Sequence, residues 1–124
     1  MSKTLSNIKL HLVFSTKCRQ RYIHGEHLQK RLYGYMKAVC HTHGCFLESI
    51  GGVEDHVHML VKLSTRISTS DLVRALKSNS SKMMKSAEGG CRDFAWQTGY
   101  GVFSVDSSIE DKVRKYIYGQ KEHH

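Results

Sequence analysis

The run His56-Val57-His58-Met59-Leu60-Val61-Lys62-Leu63 constrains this chain more than any other stretch. In a strand, residues two apart share a face. Val57, Met59, Val61 and Leu63 then make one wholly apolar face that must meet a core. His56, His58, Leu60 and Lys62 fall on the other face. Two imidazoles so placed can share a divalent ion, although a surface strand can carry the same pair with no metal at all. Two ligands are too few for a tight site, so a third protein group is expected to complete it.

The rest of the chain supplies elements around that strand. Residues 8–14 alternate and then turn apolar, which reads as a first strand, and a short basic loop, Thr16-Lys17-Cys18-Arg19-Gln20-Arg21, follows. Leu28, Leu32, Tyr35, Met36 and Val39 recur at helical spacing, and Gly44 stops a helix that begins near Gly25 or Glu26. Residues 45–50 read as a second strand and Gly51-Gly52-Val53-Glu54-Asp55 as a turn into the third. Ser68 with Asp71 three residues on predicts a capped second helix, with Leu72, Val73, Leu76, Met83 and Met84 inward. Arg74, Lys77, Ser78, Ser81 and Lys85 form a basic polar stripe on that helix, a pattern that a solvated face also explains. Residues 102–105 should be a fourth strand. Ser107, with Glu110 three residues later, predicts the cap of a last helix whose one face carries Ile109, Val113, Tyr116, Ile117 and Gln120.

The order β-α-β-β-α-β-α places the chain in the α+β class. Its first six elements match the ferredoxin-like, split βαβ pattern shared with RNA-recognition domains: a four-stranded antiparallel sheet with two helices on one face. The second face stays open, the His pair lies on it, and the extra C-terminal helix carrying Tyr116 can cover it.

A chain of 124 residues with 40% hydrophobic and 24% charged residues fits one folded domain rather than a disordered segment. No apolar run reaches the roughly 18 residues of a membrane span, and the opening residues have no apolar leader core; the expected location is cytoplasmic. A net charge of +8 points to a polyanionic partner, nucleic acid first. Cys18, Cys40, Cys45 and Cys91 form no CxxC pair and read as reduced thiols. The segment Cys40-His41-Thr42-His43-Gly44-Cys45 lacks standard zinc-ligand spacing.

Tyr116 and Gln120 are four apart and share a helix face. Laid across the open face, that helix could bring a phenol and an amide oxygen to the His pair. A phenol can act as nucleophile and hold a covalent intermediate. Attack on a DNA phosphodiester would give a phosphotyrosine and free one hydroxyl, and a second hydroxyl could later reseal the strand. Tyr118 points about 160° away from Tyr116 around the helix, a poor substitute. Gly119 weakens the helix end by about 1 kcal/mol relative to alanine.

At this point the residues resemble a known family. Asp55-His56-Val57-His58-Met59-Leu60, then Trp96-Gln97-Thr98-Gly99-Tyr100-Gly101-Val102-Phe103-Ser104-Val105, then Tyr116-Ile117-Tyr118-Gly119-Gln120-Lys121-Glu122-His123-His124 stand in the order seen in single-tyrosine HUH transposases of the insertion-sequence 200/605 type. His11-Leu12-Val13-Phe14-Ser15-Thr16-Lys17-Cys18-Arg19 fits as well. The resemblance implies a homodimer that acts on single-stranded DNA hairpins at element ends. It matches His56 and His58 to the metal-binding pair, Gln120 to the third ligand and Tyr116 to the nucleophile, with Mg²⁺ or Mn²⁺ as the ion. It implies a 5′-phosphotyrosine and a free 3′-hydroxyl, and composite sites in which one subunit's tyrosine helix serves the other's histidines.

Two other readings stand beside this one. A ferredoxin-like module without catalysis could bind single-stranded nucleic acid by stacking bases on sheet aromatics. A domesticated relative could cut chromosomal repeat hairpins. Lys17, Arg19, Arg21, Arg74, Lys77 and Lys85 are the expected DNA contacts.

Overall fold

The structure, a computed structural model, describes residues 5–120. The tail motif residues Lys121, Glu122, His123 and His124 lie outside the described residues. Strand β1 (Ile8–Ser15) leads through a short 3₁₀ turn (Lys17–Arg19) to helix α1 (Glu26–Thr42). Strands β2 (Phe46–Val53) and β3 (His56–Leu63) form a hairpin. Helix α2 (Thr69–Ser86), strand β4 (Gly101–Ser104) and helix α3 (Glu110–Tyr118) complete the chain. The strands lie in the order β2-β3-β1-β4, all neighbours antiparallel, which is the expected ferredoxin-like arrangement.

Period-two alternation builds the core. Leu10, Leu12 and Phe14 of β1 join Val57, Met59 and Val61 of β3 on one side of the sheet. Against them α1 buries Leu28, Leu32, Met36 and Val39, and α2 buries Leu72, Val73, Leu76 and Met84. Tyr35, expected in the α1 stripe, is 40% exposed; Cys40 takes an inward position instead. Ser68 caps α2 as expected, its hydroxyl accepting from the Asp71 amide at 3.1 Å. All four cysteines are free thiols. Burial pushes the Cys40 thiol up to about 12, with Cys45 adding to the shift.

Helix α3 lies on the opposite side of the sheet, against β2 and β3. Three local features set its seat. The first is Gly51, expected in a turn but found in β2, which runs on to Val53 so that only Glu54 and Asp55 make the turn. A Cβ at Gly51 would lie 2.3 Å from the carbonyl oxygen of Ile117, so only glycine lets the α3 backbone come this close. The second is a β-bulge between Leu47 and Ser49. It turns Glu48 toward Lys9, at 3.0 Å, and Arg114, at 3.7 Å. The third is the start of α3. Ser107 does not cap it: Ile109 occupies the N-cap with no side-chain hydrogen bond, and Ser107 Oγ donates to Asp106 Oδ1. The Glu110 carboxylate, which a capping box would turn back to Ser107, instead accepts from Lys9 at 2.5 Å and Arg114 at 3.1 Å. Ile117 and Gln120 are thereby buried against the sheet, while Tyr116 stays 46% exposed. Among the described residues no helix is long and apolar enough to cross a membrane.

Candidate active site

Because β3 presents alternate residues to α3, His56 and His58 stand side by side under that helix, 4% and 6% exposed, with ring centroids 5.1 Å apart. Gln120, one turn beyond Tyr116 and 1% exposed, reaches down to them. Its Oε1 lies 3.1 Å from His56 Nε2, and its Nε2 donates to the Tyr116 carbonyl at 3.0 Å. The second bond fixes the amide, since flipping it would set two carbonyl oxygens against each other.

His56 is oriented from its other nitrogen. Nδ1 lies 2.7 Å from Asp55 Oδ1 and donates to it, while Asp55 Oδ2 accepts from Arg19 Nε at 3.1 Å. Arg19 Nη2 is 3.3 Å from the same Nδ1, but with both atoms carrying protons this is proximity without a hydrogen bond. Burial alone would raise the Asp55 carboxyl; the hydrogen bonds from Arg19 and His56 outweigh it and hold the group below its ordinary value. Asp55 therefore stays ionised and keeps the His56 proton on Nδ1.

With that tautomer, His56 Nε2 and Gln120 Oε1 both turn acceptor lone pairs toward the 3.1 Å space between them. A metal ion held between the two atoms would draw on both lone pairs. Two ligands at right angles on bonds of about 2.1 Å are themselves about 3 Å apart, so the observed spacing suits one edge of a coordination shell. His58 supplies a third donor, its Nδ1 being engaged by His11 Nε2 at 2.9 Å. No cluster of three or more His, Cys, Asp or Glu residues suited to a metal exists among the described residues; the Gln120 amide oxygen lies beside the two imidazoles where a further donor would stand. The donor set of two imidazoles and a carbonyl oxygen fits a divalent ion.

The Tyr116 ring stands edge-on to His58 at 5.5 Å and to His11 at 6.1 Å between centroids. The phenol thus shares one surface with the His pair and Gln120. All four expected site residues meet on a single chain.

Arg19 is delivered by an unusual turn. Cys18 and Arg19 adopt φ of 56° and 54°, a left-handed backbone that costs about 1–3 kcal/mol per residue outside glycine. Surrounding bonds hold it: Thr16 Oγ1 donates to the Gln20 carbonyl at 2.7 Å, the Thr16 amide to the Asp55 carbonyl at 2.9 Å, and the Cys18 amide to Gln97 Oε1 at 3.4 Å. The Trp96 segment braces it from below, with its indole donating to Ser80 Oγ at 2.9 Å. Arg19 and Arg21 line a cleft of about 600 Å³ that opens beside Asp55.

The other expected DNA contacts are scattered. Lys17, Arg21 and Lys85 are exposed. Arg74 pairs with Asp71 at 3.1 Å on the α2 surface. Lys77 donates to the carbonyls of Gln97 and Gly99 and lies over the Phe14 and Tyr100 rings, where burial lowers its pKa. Two residues of the site were not singled out from sequence. Asp55 stands next to His56 in the sequence, but nothing local marks it as that ring's partner. His11 carries a signal in the strand-one alternation, which puts Lys9, His11 and Val13 on the face opposite Leu10, Leu12 and Phe14.

The fold and this constellation define a class: a ferredoxin-like domain whose sheet face opposite α1 and α2 carries a histidine pair, with a tyrosine on the helix that covers it and a glutamine just past that helix's end. Comparison with known proteins gives the family. The profile of the family described as "Transposase IS200 like" matches residues 4–120, and the chain belongs to that family. The transposase for insertion sequence element IS200 of Salmonella typhimurium is 30% identical over 129 aligned positions, covering 98% of this chain and 82% of the relative. The ISDra2 transposase TnpA of Deinococcus radiodurans is 24% identical, over 91% of this chain and 84% of the relative. In fold, the chain matches a Deinococcus radiodurans R1 crystal structure described as a transposase, with a TM-score of 0.74 at 24% identity over 97% and 98% of the two chains. A REP-associated tyrosine transposase bound to a REP hairpin gives a TM-score of 0.74 at 13% identity, over 100% of this chain and 74% of that one.

Proposed function

We propose that this transposase cleaves and rejoins single-stranded DNA at the ends of an insertion element, with Tyr116 as nucleophile. The observation that carries this reading is the docking of Gln120, just past the end of α3, on His56 at 3.1 Å, beside Tyr116, which α3 sets against His58. His56 and His58, through Nε2, and Gln120, through Oε1, would hold the metal. Mg²⁺ or Mn²⁺ bound there would polarise a phosphoryl oxygen of the scissile phosphate.

In the cleavage step the Tyr116 Oη bonds to phosphorus as the phenol gives up its proton. The bond from phosphorus to the 3′ oxygen breaks, and that oxygen takes up a proton. The products are a 5′-phosphotyrosine and a free 3′-hydroxyl. In the rejoining step a 3′-hydroxyl attacks the same phosphorus and the tyrosine leaves, so the bond energy is conserved and no nucleotide cofactor is consumed. Asp55 and Arg19 keep His56 in one tautomer throughout. Half-exposure of Tyr116 gives a DNA strand access to its hydroxyl.

DNA hairpins are the proposed substrate, acting through the chain's +8 charge. Lys17, Arg21 and Lys85 are the exposed candidates for phosphate contact; Arg19, Arg74 and Lys77 already hold protein partners. The 30% identity to an insertion-sequence transposase supports element ends as the target. The site can form within one chain. A homodimer with composite sites would require α3 to leave its own sheet, breaking the Lys9–Glu110 and Arg114–Glu48 pairs. A non-catalytic stacking module would need the sheet's middle open, whereas α3 packs on β2 and β3.

The test is a 5′-labelled and 3′-labelled pair of single-stranded hairpin substrates incubated with Mg²⁺. The wild-type chain should form a denaturant-resistant protein–DNA adduct, and Tyr116→Phe none. An adduct that persists in Tyr116→Phe, or none in the wild type, defeats the proposal.

A further inference from the structure

His11 has no part in the steps above, yet it touches the site. It lies opposite Leu60 in the β1–β3 register, while Val13 lies opposite His58. His11 is therefore the diagonal neighbour of His58 on the same face, about 7–8 Å away along the sheet and within reach of a long side chain. Its Nε2 lies 2.9 Å from His58 Nδ1, and its ring stands between those of His58 at 5.1 Å and Phe103 at 5.9 Å.

One proton can occupy that contact. A histidine that binds a metal must offer an unprotonated nitrogen. If His58 ligates through Nε2, its proton sits on Nδ1 and His11 Nε2 accepts it. Asp55 does the same for His56, at 2.7 Å. Each histidine of the pair thus has its own partner on Nδ1, a carboxylate for one and an imidazole for the other. Such partners fix tautomer and ring angle of a ligating histidine.

We propose that His11 is a positioning residue that locks His58 in its Nδ1–H tautomer, aiming Nε2 into the metal site and setting the ring edge against which Tyr116 rests. This rests on the reading of the site as a metal centre, and the test separates the two. His11→Ala removes the acceptor. His11→Gln keeps one, because its amide oxygen can accept from Nδ1–H.

Long-range ¹H–¹⁵N spectra of the metal-free proteins, taken well above the ordinary histidine range, report which ring nitrogen of His58 carries the proton. His58 should be the Nδ1–H tautomer in the wild type and in His11→Gln, and shift toward Nε2–H in His11→Ala. Calorimetric titration with Mn²⁺ should show about a tenfold or greater loss of affinity in His11→Ala, the scale for outer-shell partners of metal ligands, with most of it restored in His11→Gln. Thermal melts of the three proteins should coincide. An unchanged His58 tautomer in His11→Ala, or equal Mn²⁺ losses in both variants, overturns the role of His11 alone. A wild-type chain that takes up no Mn²⁺ while its His58 tautomer still depends on His11 overturns the metal reading and upholds the tautomer lock.

Discussion

Gln120 Oε1 and His56 Nε2 face each other across 3.1 Å. The Gln120 amide nitrogen donates to the Tyr116 carbonyl, and His56 Nδ1 donates to Asp55, so each partner's orientation is set from behind. The relationship links the end of α3 to strand β3. It also links the proposed nucleophile to the proposed ligands, since Gln120, just past the end of α3, donates to the Tyr116 carbonyl.

Gln120→Ala should weaken Mn²⁺ binding at least tenfold, about 1.4 kcal/mol or more, and slow adduct formation in step. Gln120→Glu, which keeps an oxygen donor and adds charge, should retain binding. Calorimetry with Mn²⁺ checks both; wild-type affinity in the alanine variant would remove Gln120 from the ligand set.

Asp55→Asn leaves the size of the side chain but removes the charge that fixes the His56 proton. A loss of about 10–100-fold in metal affinity is expected, with hairpin binding little changed. Electrophoretic mobility shifts and metal titration on the same samples should therefore separate. Equal loss in both would mean that Asp55 supports the fold and not the site.

Gly51→Ala places a methyl where the Ile117 carbonyl now sits, and α3 must move off the sheet. Overpacking of this kind costs about 1–3 kcal/mol. The main core, on the other side of the sheet, should survive. Hydrogen exchange should speed up in residues 110–118 and stay slow in β1 and β3, while cleavage falls sharply. Unaltered exchange in α3 would contradict the close approach.

The seat of α3 should also weaken in acid. The hydrogen bond from Lys9 is the main cause holding the Glu110 carboxyl below its ordinary value, burial opposing it and Arg114 assisting. A carboxyl with a lowered folded value stabilises above its ordinary range and loses that contribution as pH falls through the lowered value. Exchange of the α3 amides should accelerate there in the wild type. Glu110→Gln should show the faster exchange already at neutral pH, with little further change in acid.

The histidine face of β3 was legible because period-two alternation is a local signal, and Val57, Met59 and Val61 do meet the core. The ferredoxin-like order was legible for the same reason, element by element. What escaped was set by partners far away in the chain. Gly51 reads as a turn residue until the backbone of Ile117 arrives above it. Ser107 reads as a cap until Lys9 draws Glu110 away. Lys77 reads as a solvated cation until the carbonyls of Gln97 and Gly99 close on it. His11 acquires its neighbour only when β1 pairs with β3.

In the proposed reaction Tyr116 becomes covalently joined to DNA. Mass spectrometry of the protease-digested adduct tests it most directly, by locating the nucleotide on the peptide. A 5′-phosphate linked to Tyr116 and an unmodified Tyr118 are expected. A nucleotide on Tyr118 or on any other residue, or one attached through its 3′ end, would contradict it.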